Sequence, residues 1–131
     1  FSQTLFTQYI LKSMLKKKNG SIIFISSNSA MDGNIGRSAY SSSKAAIISL
    51  SKTLSRELGG VNIRVNTIAP GLTMTDMMKN NTSEKAVKEY TSAVFLQRLG
   101  KPNEIADLAL FLSSDKSKYI TGQVIRADGG I

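Results

Sequence analysis

Residues 20–27 read Gly20-Ser21-Ile22-Ile23-Phe24-Ile25-Ser26-Ser27. A short apolar run rich in β-branched residues, bounded by glycine and serines, predicts a strand over 21–26 that is buried on both faces, as in a parallel sheet. The polar stretch 27–38 then predicts a loop, with Asn28, Asp32, Gly33, Asn34 and Gly36. Upstream, Phe1, Leu5, Ile10, Leu11, Met14 and Leu15 fall at helical spacing, so 1–18 predicts a helix. Lys16, Lys17 and Lys18 suit the negative end of its dipole, and Asn19-Gly20 is the expected stop. Downstream, Ile47, Leu50, Leu54 and Leu58 mark one face of a helix over 40–58, with Gly59-Gly60 as its end. Alternation over 61–69 predicts a second strand, broken by Pro70-Gly71. A less regular segment, 72–92, holds a short helix near 84–90. A helix over 102–112 opens on Pro102 and Glu104, and 123–127 is a last strand before Asp128-Gly129-Gly130. Helices alternating with strands predict an α/β fold with a parallel sheet, in one domain spanning 1–131.

The chain has 131 residues, 41% hydrophobic and 20% charged, which is the composition of a folded domain. It has no Cys and no His, so disulfides, a Cys nucleophile, a Cys/His zinc site and a Ser-His-Asp triad are excluded. Any general acid or base is Tyr, Lys, Asp or Glu. Lys and Arg total 17 against 9 Asp and Glu, a formal net charge of +8. The basic residues are scattered, Lys16–Lys18 is the one run, and no aromatic platform accompanies it, so no nucleic-acid partner is expected. No apolar run approaches the roughly 20 residues that span a bilayer. The expectation is no membrane and a cytoplasmic location.

Tyr40 and Lys44 stand at i and i+4, on one helix face. A tyrosine hydroxyl ordinarily ionises near pH 10, and an ammonium one turn away favours the phenolate. The pair suits a proton donor with its activator. Such spacing also arises by chance on amphipathic helices. Its context adds weight: Ser27 ends a buried strand at the carboxyl edge, where α/β sites form, and Pro70-Gly71 ends the next strand at the same edge. Thr73 and Thr75 place hydroxyls just beyond.

Taken together, Gly20–Ser27, Tyr40-Ser-Ser-Ser-Lys44-Ala-Ala46, Arg64-Val-Asn66-Thr-Ile-Ala-Pro70-Gly71, Arg98-Leu-Gly-Lys-Pro102-Asn-Glu-Ile-Ala106, Phe111-Leu-Ser-Ser-Asp115, Ile120-Thr-Gly122 and Asp128-Gly-Gly130 resemble the short-chain dehydrogenases/reductases, most closely the 3-oxoacyl-carrier-protein reductase group. The resemblance runs over essentially the whole chain. It implies the C-terminal half of a Rossmann-like doubly wound parallel sheet. It implies an oxidoreductase moving hydride between NAD or NADP and a carbonyl or alcohol, an acyl-carrier substrate among them. Tyr40 would be the acid/base. Lys44 would activate it and hold the nicotinamide ribose. Ser27, thirteen residues before Tyr40, would polarise the carbonyl, with Ser26 the weaker candidate. Pro70, Gly71, Thr73 and Thr75 would hold the cofactor, while Asn66 and Asp128-Gly129-Gly130 would be structural.

The family's glycine-rich cofactor turn has no counterpart here. It would lie in a preceding half of about 90 to 110 residues, so the expectation is a partial domain whose 131 residues alone are inactive and unstable or self-associating. A homo-oligomer is expected through helices 1–18 and 40–58, where Ala45, Ala46 and Ile48 form a second apolar strip. Met74, Met77, Met78, Val94, Phe95 and Leu96 flank the polar stretch 79–91 and fit a lid over an apolar substrate. The alternatives are a truncated non-catalytic module that associates with other subunits and, behind it, a basic nucleic-acid-binding module.

Overall fold

A computed structural model of the chain describes residues 2–75, 78 and 82–131. Its elements run α1 (Ser2–Lys17), β1 (Gly20–Ile25), α2 (Ser29–Asp32), α3 (Ser38–Leu58), β2 (Ile63–Pro70), α4 (Glu84–Ala93), α5 (Pro102–Ser113) and β3 (Val124–Ala127). Three-residue 3-10 turns occupy Gly59–Val61 and Asp115–Ser117. The strands form one parallel sheet in the order β1-β2-β3. The α/β architecture expected from the alternation is therefore present.

The register pairs Ile22 with Val65 and Phe24 with Thr67. One sheet face thus carries Ile22, Phe24, Ile63 and Val65, packed with Leu58 and with Leu11, Met14, Ile47, Leu50 and Leu54 of α1 and α3. The opposite face carries Ser21, Arg64 and Asn66. There Ser21 Oγ donates to Leu112 O (2.9 Å) and Arg64 Nη1 donates to the same carbonyl (2.8 Å), tying both strands to the end of α5. Arg64 also donates to Ser114 O and Ser117 Oγ, so a cation closes the helix C-terminus with its last carbonyls. Asn66 is fully buried. Its Nδ2 donates to Ile120 O and its Oδ1 accepts from Gln123 N, fastening the loop that feeds β3.

Four expectations need correction. β1 is not buried on both faces: it lies at an edge of the described sheet, Phe24 is enclosed, but Ile22 and Ile23 are half-buried and Ile25 is 40% exposed. A groove of about 330 Å³ between α1 and β1, lined by Phe6, Ile10, Met14, Ile22 and Phe24 among others, marks the uncovered side. Second, α1 does not stop on Asn19-Gly20. Lys18 takes the left-handed turn (φ 48°) and Gly20 opens the strand. Glycine lets the strand pass close to α1, since a Cβ would lie 2.7 Å from Met14 Sδ and would push that flexible side chain aside. Third, β2 begins at Ile63, since Gly59–Val61 is a 3-10 turn and Asn62 reverses the chain at φ 60°. Fourth, the loop 27–38 contains α2, a single turn too short to show a period.

Candidate active site

The carboxyl ends of β1 and β2 hold the candidate residues. Beyond β1 the chain bends across the sheet edge: Ser26 N donates to Ile68 O, and Asn28 N donates to Pro70 O at 3.0 Å. Ser26 and Ser27 are both buried, but they are engaged differently. Ser26 Oγ donates to Lys44 O (2.8 Å), a structural tie between β1 and α3. Ser27 Oγ accepts from Ser29 N (3.2 Å), the first amide of α2. Among the described residues its own proton has only Asn28 Oδ1 at 3.5 Å, beyond good hydrogen-bond length. That leaves the Ser27 hydroxyl a donor with one of its two acceptor positions held.

Tyr40 lies in the first turn of α3, 43% exposed, with Lys44 one turn on. Lys44 Nζ sits 5.8 Å from the Tyr40 ring centroid and donates to Ile25 O at 3.2 Å. An ammonium has three protons, so two remain for a ligand. Lys44 therefore faces the end of β1 on one side and the Tyr40 ring on the other. Its own carbonyl is held by Ser26, so strand and helix grip each other through one residue.

The groups after β2 are placed as follows. Pro70 O accepts from Asn28 N, and Gly71 N donates to Ala127 O. Gly71 is closely packed: a Cβ would lie 2.7 Å from both Asp128 Cβ and Tyr90 Oη. The small residue is thus required by the protein's own chain. Thr73 Oγ1 donates to Gly71 O, and Thr75 Oγ1 accepts from Met78 N. Tyr90 of α4 accepts from Leu72 N at 2.8 Å and so joins the expected lid to this loop. Val94 is buried and is core rather than lid, while Phe95 and Leu96 are exposed. Met77 and residues 79–81 of that expected lid lie outside the described residues.

For a nicotinamide cofactor, the donor set fits one end. Two Lys44 protons and the Tyr40 and Thr75 hydroxyls as donors, with the Thr73 oxygen as an acceptor because its proton goes to Gly71 O, match a ribose and a carboxamide. No glycine-rich phosphate turn occurs in the 131 residues.

Sequence reasoning missed the cluster beside this edge. Arg126 on β3 donates from Nη1 and Nη2 to the two carboxylate oxygens of Asp32 (3.0 and 2.6 Å) and from Nε to Asp128 Oδ2 (2.6 Å). These carboxylates hold the guanidinium above its ordinary range. The 94-residue separation of Asp32 and Arg126 left no local signal.

A family model described as enoyl-(acyl carrier protein) reductase matches residues 1–131. The chain is 47% identical over 125 residues to the 3-oxoacyl-acyl-carrier-protein reductase FabG of Thermotoga maritima, covering 95% of this chain and 50% of that protein. It is 42% identical over 127 residues to the FabG of Aquifex aeolicus, covering 97% and 51%. Among solved structures, a 3-oxoacyl-acyl-carrier-protein reductase from Brucella melitensis superposes with a TM-score of 0.92 at 33% identity, over 96% of this chain and 47% of that one. A 7 alpha-hydroxysteroid dehydrogenase complexed with NADH and 7-oxo glycochenodeoxycholic acid gives 0.91 at 37% identity, over 95% and 49%. The chain spans about half the length of the curated relatives it matches.

Proposed function

The chain belongs to the short-chain dehydrogenase/reductase family, and on that premise we propose that it serves an NAD- or NADP-dependent ketoreductase acting on a carbonyl or alcohol, of the 3-oxoacyl-acyl-carrier-protein reductase kind. The observation that carries the proposal is Lys44, whose ammonium sits 5.8 Å from the Tyr40 ring centroid while it donates to the end of β1 beside Ser27. A bound nicotinamide would supply or accept the hydride. The chain's own groups do the rest. Ser27 Oγ–H donates to the substrate oxygen as negative charge grows on it. Tyr40 Oη–H gives that oxygen its proton in reduction and takes it back in oxidation. Lys44 keeps Tyr40 beside a positive charge and offers its remaining protons to the ribose. Thr73 and Thr75 contribute hydroxyls toward the carboxamide and phosphates, with Pro70 and Gly71 shaping the wall.

A homo-oligomer is part of this reading, and the support is on α1, where Leu5, Phe6 and Tyr9 are exposed, and on α3, where Ala46 is exposed. Exposed apolar side chains of this sort suit a subunit contact, while Ala45 and Ile48 of the expected strip are half-buried. Among the described residues no helix is long and apolar enough to cross a membrane. A cytoplasmic location belongs to the proposal through its substrate, a carrier-bound acyl chain.

The test is Tyr40→Phe in the protein as the cell produces it, assayed by nicotinamide absorbance with a 3-oxoacyl thioester. The expected result is a fall in kcat of at least about a hundredfold, with cofactor affinity nearly kept. Turnover close to the parent's would refute the assignment.

A further inference from the structure

We propose that Asp32 and Arg126 are positioning residues for Ser27: their ion pair holds α2 across the sheet edge and thereby fixes the direction in which the Ser27 hydroxyl donates. The inference rests on the ketoreductase reading of the site. It begins with the size of α2, which is Ser29–Asp32, a single turn without a side-chain cap at its start. Such a turn has little stability of its own. Yet its first amide, Ser29 N, is the donor that occupies one acceptor position of Ser27 Oγ. If α2 shifts, the Ser27 hydroxyl is released to rotate.

Three ties hold α2. Asn28 N donates to Pro70 O, and Asn34 Nδ2 donates to Ser29 Oγ at 2.7 Å. The third is the fork from Arg126 to both oxygens of Asp32, the last residue of the turn. Only this third tie reaches β3, on the far side of β2 from β1. A two-bond fork sets orientation as well as distance. Arg126 is itself braced: Nε donates to the buried Asp128, and Nη2 donates to Ile131 O at 2.9 Å. Asp128 Oδ1 accepts from Gly130 N, so the brace ends in the Gly129-Gly130 turn. The path from Gly130 to Ser27 is continuous through hydrogen bonds and the α2 turn.

The two partners differ as targets. Removing Asp32 leaves Arg126 paired with Asp128, so no charge is stranded. Removing Arg126 strands the buried Asp128 and endangers folding. Asp32→Ala is therefore the working variant, and Asp32→Glu is its conservative rescue. Arg98 and Glu104 supply the control. They form an equally short bidentate pair, 2.6 and 2.9 Å, from the segment before α5 to its first turn.

Four variants are assayed in the protein as the cell produces it: Tyr40→Phe, Asp32→Ala, Asp32→Glu and Glu104→Ala. For Asp32→Ala the expected result is a fall in kcat of about tenfold, the order a small misplacement of a catalytic group produces. The cofactor KM and the urea midpoint stay near the parent values. Asp32→Glu restores most of the loss, and Glu104→Ala leaves kcat unchanged. Parent-like kcat in Asp32→Ala, alongside an inactive Tyr40→Phe, overturns this inference alone. Equal kcat losses in Asp32→Ala and Glu104→Ala overturn it too, since then any lost ion pair has the same effect. An active Tyr40→Phe instead removes the ketoreductase reading beneath it.

Discussion

Replacing Asn66 by alanine removes the side chain that joins β2 to the loop before β3. Its amide donates to Ile120 O at 2.9 Å and its carbonyl accepts from Gln123 N at 3.1 Å. Alanine keeps neither bond. The Ile120 carbonyl and the Gln123 N–H would then lack partners, and each such loss in a buried place costs about 1–3 kcal/mol. Both groups lie near the surface end of the loop, where water relieves part of the cost. The expected loss is about 2–4 kcal/mol, a drop in urea midpoint of roughly 1–2 M. Asn66→Asp separates the two bonds: it keeps the acceptor for Gln123 N but sets a carboxylate oxygen against the Ile120 carbonyl, so it gives no rescue. The assay is equilibrium urea unfolding followed by circular dichroism, at fixed protein concentration because association shifts the midpoint. An Asn66→Ala midpoint within about 0.2 M of the parent's would show that this side chain does not hold the loop.

Two further outcomes follow from particular contacts. Gly122 sits at φ 71°, and a Cβ there would lie 2.9 Å from Ser55 Oγ. Gly122→Ala should destabilise by about 1–3 kcal/mol in the same assay, and an unchanged midpoint would show that the contact relaxes freely. Glu104 is held down to about 2 from an ordinary 4.5, first by the Arg98 hydrogen bonds and then by the Lys101 amide. A lowered folded-state value means that the stabilisation is complete above pH 4.5 and is lost as pH falls toward 2. Glu104→Gln should flatten the pH dependence of stability across that window, and an identical acid limb in both proteins would contradict the clamp.

The long elements were legible because their patterns are long. The α3 helix repeats an apolar face from Ile47 to Leu58, and α5 carries both a proline start and Glu104, which accepts from Lys101 N as a helix-opening box does. The boundaries failed where two residue types had competing reasons to be present. Glycine at 20 looked like a helix stop, but it opens β1 and lies against the Met14 side chain. Glycine at 59 is helical in conformation, with open space around it, and the reversal falls to Asn62. The apolar Val61 continued the strand alternation in phase although it belongs to a 3-10 turn. At the site, the Tyr40–Lys44 spacing is local and readable. The preference for Ser27 over Ser26 comes from its distance to Tyr40 along the chain, while the contacts that engage the two differently, Lys44 O and Ser29 N, are visible only in the fold. The Asp32–Arg126 fork joins elements that meet only after the whole sheet is assembled.

The two left-handed turns at the opposite end of the sheet bear on that serine choice. Lys18 and Asn62 precede β1 and β2, Asn62 Nδ2 lies 3.4 Å from Lys18 O, and Gly20 pairs with Ile63, so both strands leave from one origin. From there the ladder advances about 3.3 Å per residue and alternates faces. Which hydroxyl reaches Lys44 O and which reaches the sheet edge is therefore a matter of odd and even counting from that origin. Inserting one residue between Lys18 and Ser26 would carry Ser26 into the place of Ser27 and set Ile25, which has no hydroxyl, opposite Lys44 O. The chemistry at one end of the strand is kept in phase by a knot tied at the other.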